Sequence, residues 1–138
     1  MSTAVEDKLV KDHMHRDVFV ANLEQTYRDA GRKMHSKHMH HMVIVDEEHR
    51  PVSVISSFEF IDLAIADRGP KPDDKIGEHA PRKVYSINLN EPLAMAANLM
   101  NTHHVNALVV IDDDKKLAGI ITPRNIMNAM FDEELEME

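Results

Sequence analysis

His38-Met39-His40-His41-Met42-Val43-Ile44-Val45-Asp46 returns 66 residues later as His104-Val105-Asn106-Ala107-Leu108-Val109-Val110-Ile111-Asp112. Working outward, the same register holds without a gap, Val10 to Ile65 lying over Ile76 to Phe131. Identical residues recur at His13/His79, Arg16/Arg82, Val18/Val84, Asn22/Asn88, Leu23/Leu89, Ala30/Ala96, Met34/Met100, His38/His104, Val43/Val109, Asp46/Asp112 and Ile55/Ile121. These identities sit in matching apolar patterns, so the chain is an internal repeat, and the repeat governs the fold. Each half, at about 60 residues, is marginal alone, so mutual burial is expected to complete both. Two such units are expected to pack about a pseudo-twofold axis, with a ligand cleft between them.

Each copy reads as strand, helix, two strands, helix. In the first, Val18-Phe19-Val20 is a short β-branched and aromatic stretch, and Leu23, Tyr27, Ala30, Gly31 and Met34 follow at helical spacing. Met42 to Val45 and Val52 to Ile55 flank the polar turn Asp46-Glu47-Glu48-His49-Arg50 as a hairpin, and the closing helix carries Phe58, Ile61 and Ile65 on one face. The second copy has Val84-Tyr85, then a helical stripe of Leu93, Ala96, Ala97 and Met100, with Asn90-Glu91-Pro92 as its start. Leu108 to Ile111 and Ala118 to Ile121 form its hairpin, and Thr122-Pro123 opens a last helix through Ile126, Met127, Met130 and Phe131. Leading helices are expected over Val5 to Met14 and Asp74 to Ala80. The division is an N-terminal tail 1–7, a first motif 8–66, a linker 67–75 rich in breakers, a second motif 76–131 and an acidic tail 132–138.

Composition narrows the classes of function. The 138 residues make one ordinary domain. With no cysteine, disulfides, thiolate metal sites and cysteine nucleophiles are excluded. No apolar run approaches the roughly 20 residues that span a bilayer, and Met1 to Lys8 lacks the pattern of a signal peptide, so a soluble cytoplasmic protein is expected. A net charge of −8 opposes nucleic-acid binding, which rests on neutralising phosphates. Four glycines form no phosphate-cradling loop and there is no H-E-x-x-H pattern, so no enzyme is expected.

The doubled strand-helix-strand-strand-helix, the run Gly119-Ile120-Ile121-Thr122-Pro123-Arg124-Asn125 and the strand His104 to Asp112 resemble a tandem pair of CBS motifs, also called a Bateman module. The resemblance covers roughly Lys8 to Phe131. It implies an α/β (α+β) fold of two β-α-β-β-α motifs packed sheet to sheet. It also implies regulation: an adenine nucleotide or adenosyl compound (AMP, ADP, ATP or S-adenosylmethionine) held in a cleft and reported by a change in shape or assembly. In that family a serine or threonine, and an aspartate three residues on, grip the ligand, the aspartate taking the ribose diol. A carboxylate suits this because it is acceptor-only. Here the positions are Ser56 and Glu59 in the first copy and Thr122 and Asn125 in the second, with Ser53 in place of the usual glycine. His40 and Ala107 border the implied adenine position.

The same residues have a purely structural reading. Ser56-x-x-Glu59 is a capping box and Thr122-Pro123 a cap with a first-turn proline. Arg124, Arg16, Arg82 and Lys37 are candidate phosphate partners and equally ordinary surface cations. Among ten histidines, His35, His38 and His40 crowd together, and a strand through His38-x-His40 would put two imidazoles on one face. A metal- or pH-responsive module is therefore a third reading, beside a sensor and a non-binding adaptor. Ten methionines are expected as adaptable core filler. The closing helices read as unusually apolar for an exposed position, Phe60 and Leu63 accompanying the inner face of the first and Ala129 that of the second. They suggest a homodimer through those helices, serving an unknown regulated protein.

Overall fold

The repeat resolves, in a computed structural model, into two three-stranded sheets with flanking helices. The structure describes Val5, residues 7–65 and residues 69–136, with side chains described as far as Phe131. Two compact units emerge: one runs Val18–Val84, and the other joins the chain up to Asp17 with everything from Tyr85 onward.

In the first unit, β1 (Val20–Ala21) pairs parallel with β2 (His41–Val45), which pairs antiparallel with β3 (Pro51–Ser56). The parallel pair needs a crossover, supplied by α1 (Tyr27–Ser36). Its start is set locally. Thr26 Oγ1 accepts from the Asp29 N–H at 3.1 Å, and Asn22 Oδ1 accepts from the Glu24 and Gln25 N–H groups just before it. The hairpin turn is built by Asp46, whose Oδ1 accepts from the Glu48 and Arg50 N–H groups, both at 2.9 Å. α2 (Glu59–Ile65) and α3 (Ile76–His79) complete the unit. Met42, Ile44, Ile55 and Ile76 are fully buried with Tyr27, Ala30 and Met34. Each large side chain so buried is worth about 1.5–3 kcal/mol.

The second unit repeats the plan. After a 3-10 turn at Val10–Asp12 come β4 (Ser86–Asn88), α4 (Leu93–His103), β5 (Leu108–Ile111), β6 (Leu117–Ile121) and α5 (Pro123–Glu136). The sheet order β4-β5-β6 mirrors β1-β2-β3. Asp112 Oδ1 accepts from the Asp114 and Lys116 N–H groups, as Asp46 does in its own turn. The recurring Asn22/Asn88 and Asp46/Asp112 pairs are therefore turn-builders. His38 and His104 both adopt φ 55°, and His49 and Lys115 both φ 64°, so the left-handed positions recur as well.

Several boundaries differ from the sequence reading. The ladders start at Val20, the last residue of Val18-Phe19-Val20, and at Ser86, the residue after Val84-Tyr85. The carbonyls of Phe19 and Tyr85 do accept from Val43 and Val109. Leu23 belongs to the turn before α1, and Pro92 is the cap residue of α4. The first leading helix is only the turn Val10–Asp12. The backbone of α5 continues through Glu136, into the stretch read as a tail. Residues 1–4, 6, 66–68, 137 and 138, parts of the N-terminal tail, linker and acidic tail, lie outside the described residues.

The closing helices carry two apolar stripes that face different ways. Phe60 and Leu63 pack on the first core and Ala129 is buried in the second, with Ile126 against it. Phe58, Ile61, Ile65, Met127, Met130 and Phe131 are the exposed residues. Helical period supplies spacing, and two apolar stripes on one helix leave its phase to be decided by the sheet it meets.

Leading segments pack with the compact unit, out of phase with the repeat. Leu9 bridges Pro92, and Lys75 bridges Thr26, the same contact in the two copies.

Candidate functional site

The hairpin of each unit ends where its closing helix begins, and that junction places the predicted grip. Glu59 Oε2 accepts from the Ser56 N–H and from Ser56 Oγ, both at 2.7 Å. Ser56 Oγ in turn accepts from the Phe58 N–H at 3.3 Å. Asn125 Oδ1 accepts from the Thr122 N–H at 2.9 Å and from Thr122 Oγ1 at 3.0 Å. The two grips thus have one geometry, and all four gripping residues are half-buried. The capping role is satisfied by one oxygen in each case. Glu59 Oε1 and the Asn125 NH2 group take no part in these bonds.

His40 lies beside the first grip through its backbone, its carbonyl accepting from the Ser57 N–H at 2.9 Å. Its counterpart Asn106 has no such bond available, because Pro123 replaces Ser57 and lacks an N–H. Ala107 is half-buried at the start of the matching strand region, and Arg124 is exposed next to Asn125. Arg16 and Arg82 each donate to a carbonyl five residues back, Lys11 and Gly77, so both brace their leading segments. Lys37 is the C-cap residue of α1.

A cavity of about 430 Å³ opens by the first grip, lined by Met34, His35, His38, His40, Ser57 and Phe60 among others. Its histidines do not gather as metal ligands. β2 begins at His41, and the left-handed turn at His38 breaks the strand alternation that would align His38 with His40. Among the described residues the trio whose ligand atoms come within 4.8 Å is Asp74, Glu78 and His79. There Asp74 Oδ2 already accepts from the Lys71 N–H at 3.0 Å and meets His79 Nε2 at 2.9 Å. These bonds, the Lys71 N–H first, hold the Asp74 carboxyl below its ordinary pKa. A second cavity of about 490 Å³, lined by Asn22, Glu24, Gln25, Asp46 and Glu47 among others, sits at the opposite strand ends.

Tyr27 is a residue that the sequence marked only as core. Burial raises its phenol pKa, and the Glu59 carboxylate raises it further, with Asp74 third. Its ring lies 6.3 Å from His79. The phenol is therefore an electrostatic neighbour of the first grip, a fact that helical spacing could not reveal. No described helix is long and apolar enough to cross a membrane.

Comparison with known proteins agrees with this architecture. The chain is 30% identical over 118 residues to the L-aspartate semialdehyde sulfurtransferase of Methanosarcina acetivorans, covering 86% of this chain and 23% of that protein. It is 26% identical over 123 residues to a homoserine O-acetyltransferase of the same organism, covering 89% of this chain and 22% of that one. The chain therefore spans less than a quarter of the length of these two relatives. Among solved structures, the CBS domain pair of protein MJ0100, in complex with 5′-methylthioadenosine and S-adenosylmethionine, superposes with a TM-score of 0.76 at 24% identity. That match covers 88% of this chain and 98% of that one. CBSX2 in complex with AMP gives 0.78 at 21% identity, covering 91% and 98%. These likenesses show the fold. The CBS domain itself matches residues 10–65 and again 76–132, so the chain belongs to the CBS domain family and carries two copies in tandem.

Proposed function

We propose that this chain is a regulatory module that binds an adenosyl compound (AMP, ADP, ATP or S-adenosylmethionine) at its grips and passes its state to a partner protein. The observation that carries this is the repeated grip: a hydroxyl and an acceptor three residues apart, in one hydrogen-bonded geometry, at the positions the family uses. Solved relatives of the same fold hold 5′-methylthioadenosine, S-adenosylmethionine or AMP, which supports the ligand class. Signalling works by population shift, the ligand stabilising whichever arrangement it binds better. Relatives with enzyme names carry about three quarters of their length outside this match, and we assign their chemistry there rather than to this chain.

The exposed stripes on α2 and α5 favour a second element, a homodimer through the closing helices. Phe58 is 70% exposed and Ile65 78%, an unusual cost for apolar side chains that a second copy would cover. A dimeric adaptor that binds no nucleotide is the rival reading. A thermal-shift panel with AMP, ADP, ATP and S-adenosylmethionine separates them. A ligand at 100 times its Kd adds about 2.7 kcal/mol, several degrees for a domain of this size. Sensing requires such a shift with at least one compound; a flat panel with a persistent dimer establishes the adaptor.

A further inference from the structure

Asp74, Glu78 and His79, in the leading segment of the second repeat, are used by neither the grips nor the exposed stripes. Each offers one ligand atom, and these atoms all lie within 4.8 Å of one another. The three belong to the unit Val18–Val84. Among the described residues no lysine or arginine forms an ion pair with the Asp74 or Glu78 carboxylate. The backbone beneath them is fixed to the start of α1. There the Tyr27 N–H donates to the Asp74 carbonyl at 3.2 Å, the Arg28 N–H to the Pro72 carbonyl at 2.8 Å, and Arg28 Nε to Asp73 at 2.8 Å. Ligands on a backbone already held in place lose little freedom on closing around an ion.

Tyr27 is an independent sign of a missing partner. The residue is 2% exposed, and its ring lies 6.3 Å from that of His79. Among the described residues its hydroxyl makes no hydrogen bond, yet the oxygen is not sealed from solvent. Burial first, then the carboxylates of Glu59 and Asp74, raise its pKa, so it stays a neutral donor among acceptors. The second copy lacks the acid and the phenol together. Lys8 replaces Asp74 and Leu93 replaces Tyr27, although Asp12 and His13 keep an acid and an imidazole at the other two positions.

We propose that Asp74, Glu78 and His79 bind one divalent transition-metal ion of the zinc class, with a water in the fourth position hydrogen-bonded to the Tyr27 hydroxyl. Two carboxylates and an imidazole are donors zinc accepts, at about 2.0–2.2 Å, whereas magnesium and calcium favour oxygen alone. At such lengths tetrahedral ligand atoms stand about 3.3 Å apart. The 2.9 Å contact between Asp74 Oδ2 and His79 Nε2 then opens slightly, and separations up to 4.8 Å close by side-chain rotation. The ion fastens the end of the linker to α1, whether or not a nucleotide binds at the grips.

Isothermal titration of Zn²⁺ into untagged, metal-stripped protein tests this, with the visible absorption of Co²⁺ as a second readout. One equivalent is expected, with the intense bands of tetrahedral Co²⁺. Glu78→Gln and His79→Gln change exposed side chains, so the fold is retained, as a thermal scan verifies. Each should weaken Zn²⁺ by at least about tenfold, since even a residue behind a metal ligand can matter that much. Tyr27→Phe keeps the ring and should weaken Zn²⁺ about tenfold while the Co²⁺ bands persist. His38→Ala with His40→Ala should leave Zn²⁺ within about twofold. No binding, or binding that survives Glu78→Gln and His79→Gln, overturns the site. Loss on His38→Ala with His40→Ala does so too and means an adventitious ion only.

Discussion

Ser53 and Gly119 hold the same place in the two copies, and the chain that crosses them explains why only one must be glycine. In the second unit His15 exchanges two backbone hydrogen bonds with Ile120, at 2.8 and 2.9 Å. A Cβ on Gly119 would stand 2.7 Å from the His15 carbonyl and 2.8 Å from Met14 Sδ. In the first unit Pro81 stands where His15 does, and proline has no N–H to make such a bridge. Ser53 is accommodated there, 1% exposed. A second pair behaves the same way. A Cβ on Gly31 would meet the Phe60 ring at 2.7 Å, and the other copy has Ala97 with the smaller Ile126. Inside the units, then, differences between the copies come in pairs that offset each other. Phe58-Glu59 against Arg124-Asn125 shows no such offset: it lies at the surface and changes the sign of a charge.

The largest expected effect breaks the symmetry of the crossing. Gly119→Ser should destabilise the protein by about 2–3 kcal/mol in urea unfolding at unchanged m-value, because backbone, not a flexible tip, must move. Ser53→Gly should cost less than about 1 kcal/mol. Equal costs would mean that the crossing chain does not dictate the residue beneath it. Next in size is the Gly31–Phe60 pair. Gly31→Ala alone should cost about 1–2 kcal/mol, and a double-mutant cycle with Phe60→Ile should return a coupling of about 1 kcal/mol. Additive costs would remove the compensation.

Smaller effects address features the copies hold in common or alone. His38 and His104 share φ 55°, so glycine at either should stabilise by a similar amount, about 0.5–1 kcal/mol by thermal unfolding. Unequal gains would show that one histidine does more than fill a turn. The smallest effect is acidic. Asp74, whose counterpart is Lys8, is held below its ordinary value of 3.8 by the Lys71 N–H and then by His79. A carboxyl depressed in the folded state adds stability above its unfolded pKa, and that stability is lost as pH falls through the folded value. Between about pH 5 and pH 2, Asp74→Asn should therefore lose less stability than the parent, by a small margin because the pair is partly exposed. An identical acid limb would remove Asp74 from the turn's energetics.

Much of this was legible in the sequence because the repeat exposes local rules twice. Asp46 and Asp112 recur since each builds its own hairpin turn, and that chemistry depends on neighbours in sequence. The grips were legible for the same reason: Ser56 and Glu59 meet within one helical turn. What lay hidden depends on partners distant in sequence. The phase of α2 is settled by the sheet, so Phe60 goes inward and Phe58 outward despite equal hydrophobicity. Leading segments resemble each other as copies, yet similarity does not say which unit each packs with, and Met14 and His15 lie over Gly119. His35, His38 and His40 are close in number, but the chain turns left-handed at His38 itself, which no period-2 pattern anticipates. Tyr27 and Glu59 come together only through tertiary packing.

The most direct measurement is an amide NMR titration of the parent chain with AMP and with 5′-methylthioadenosine. The Ser56, Phe58 and Thr122 amides are reporters, since all three donate within the grips. Saturable shifts are expected at Ser56 and Phe58, at Thr122, or at all three amides with at least one of the two compounds. Spectra unchanged at these amides for both compounds at millimolar concentration would contradict an adenosyl-sensing role.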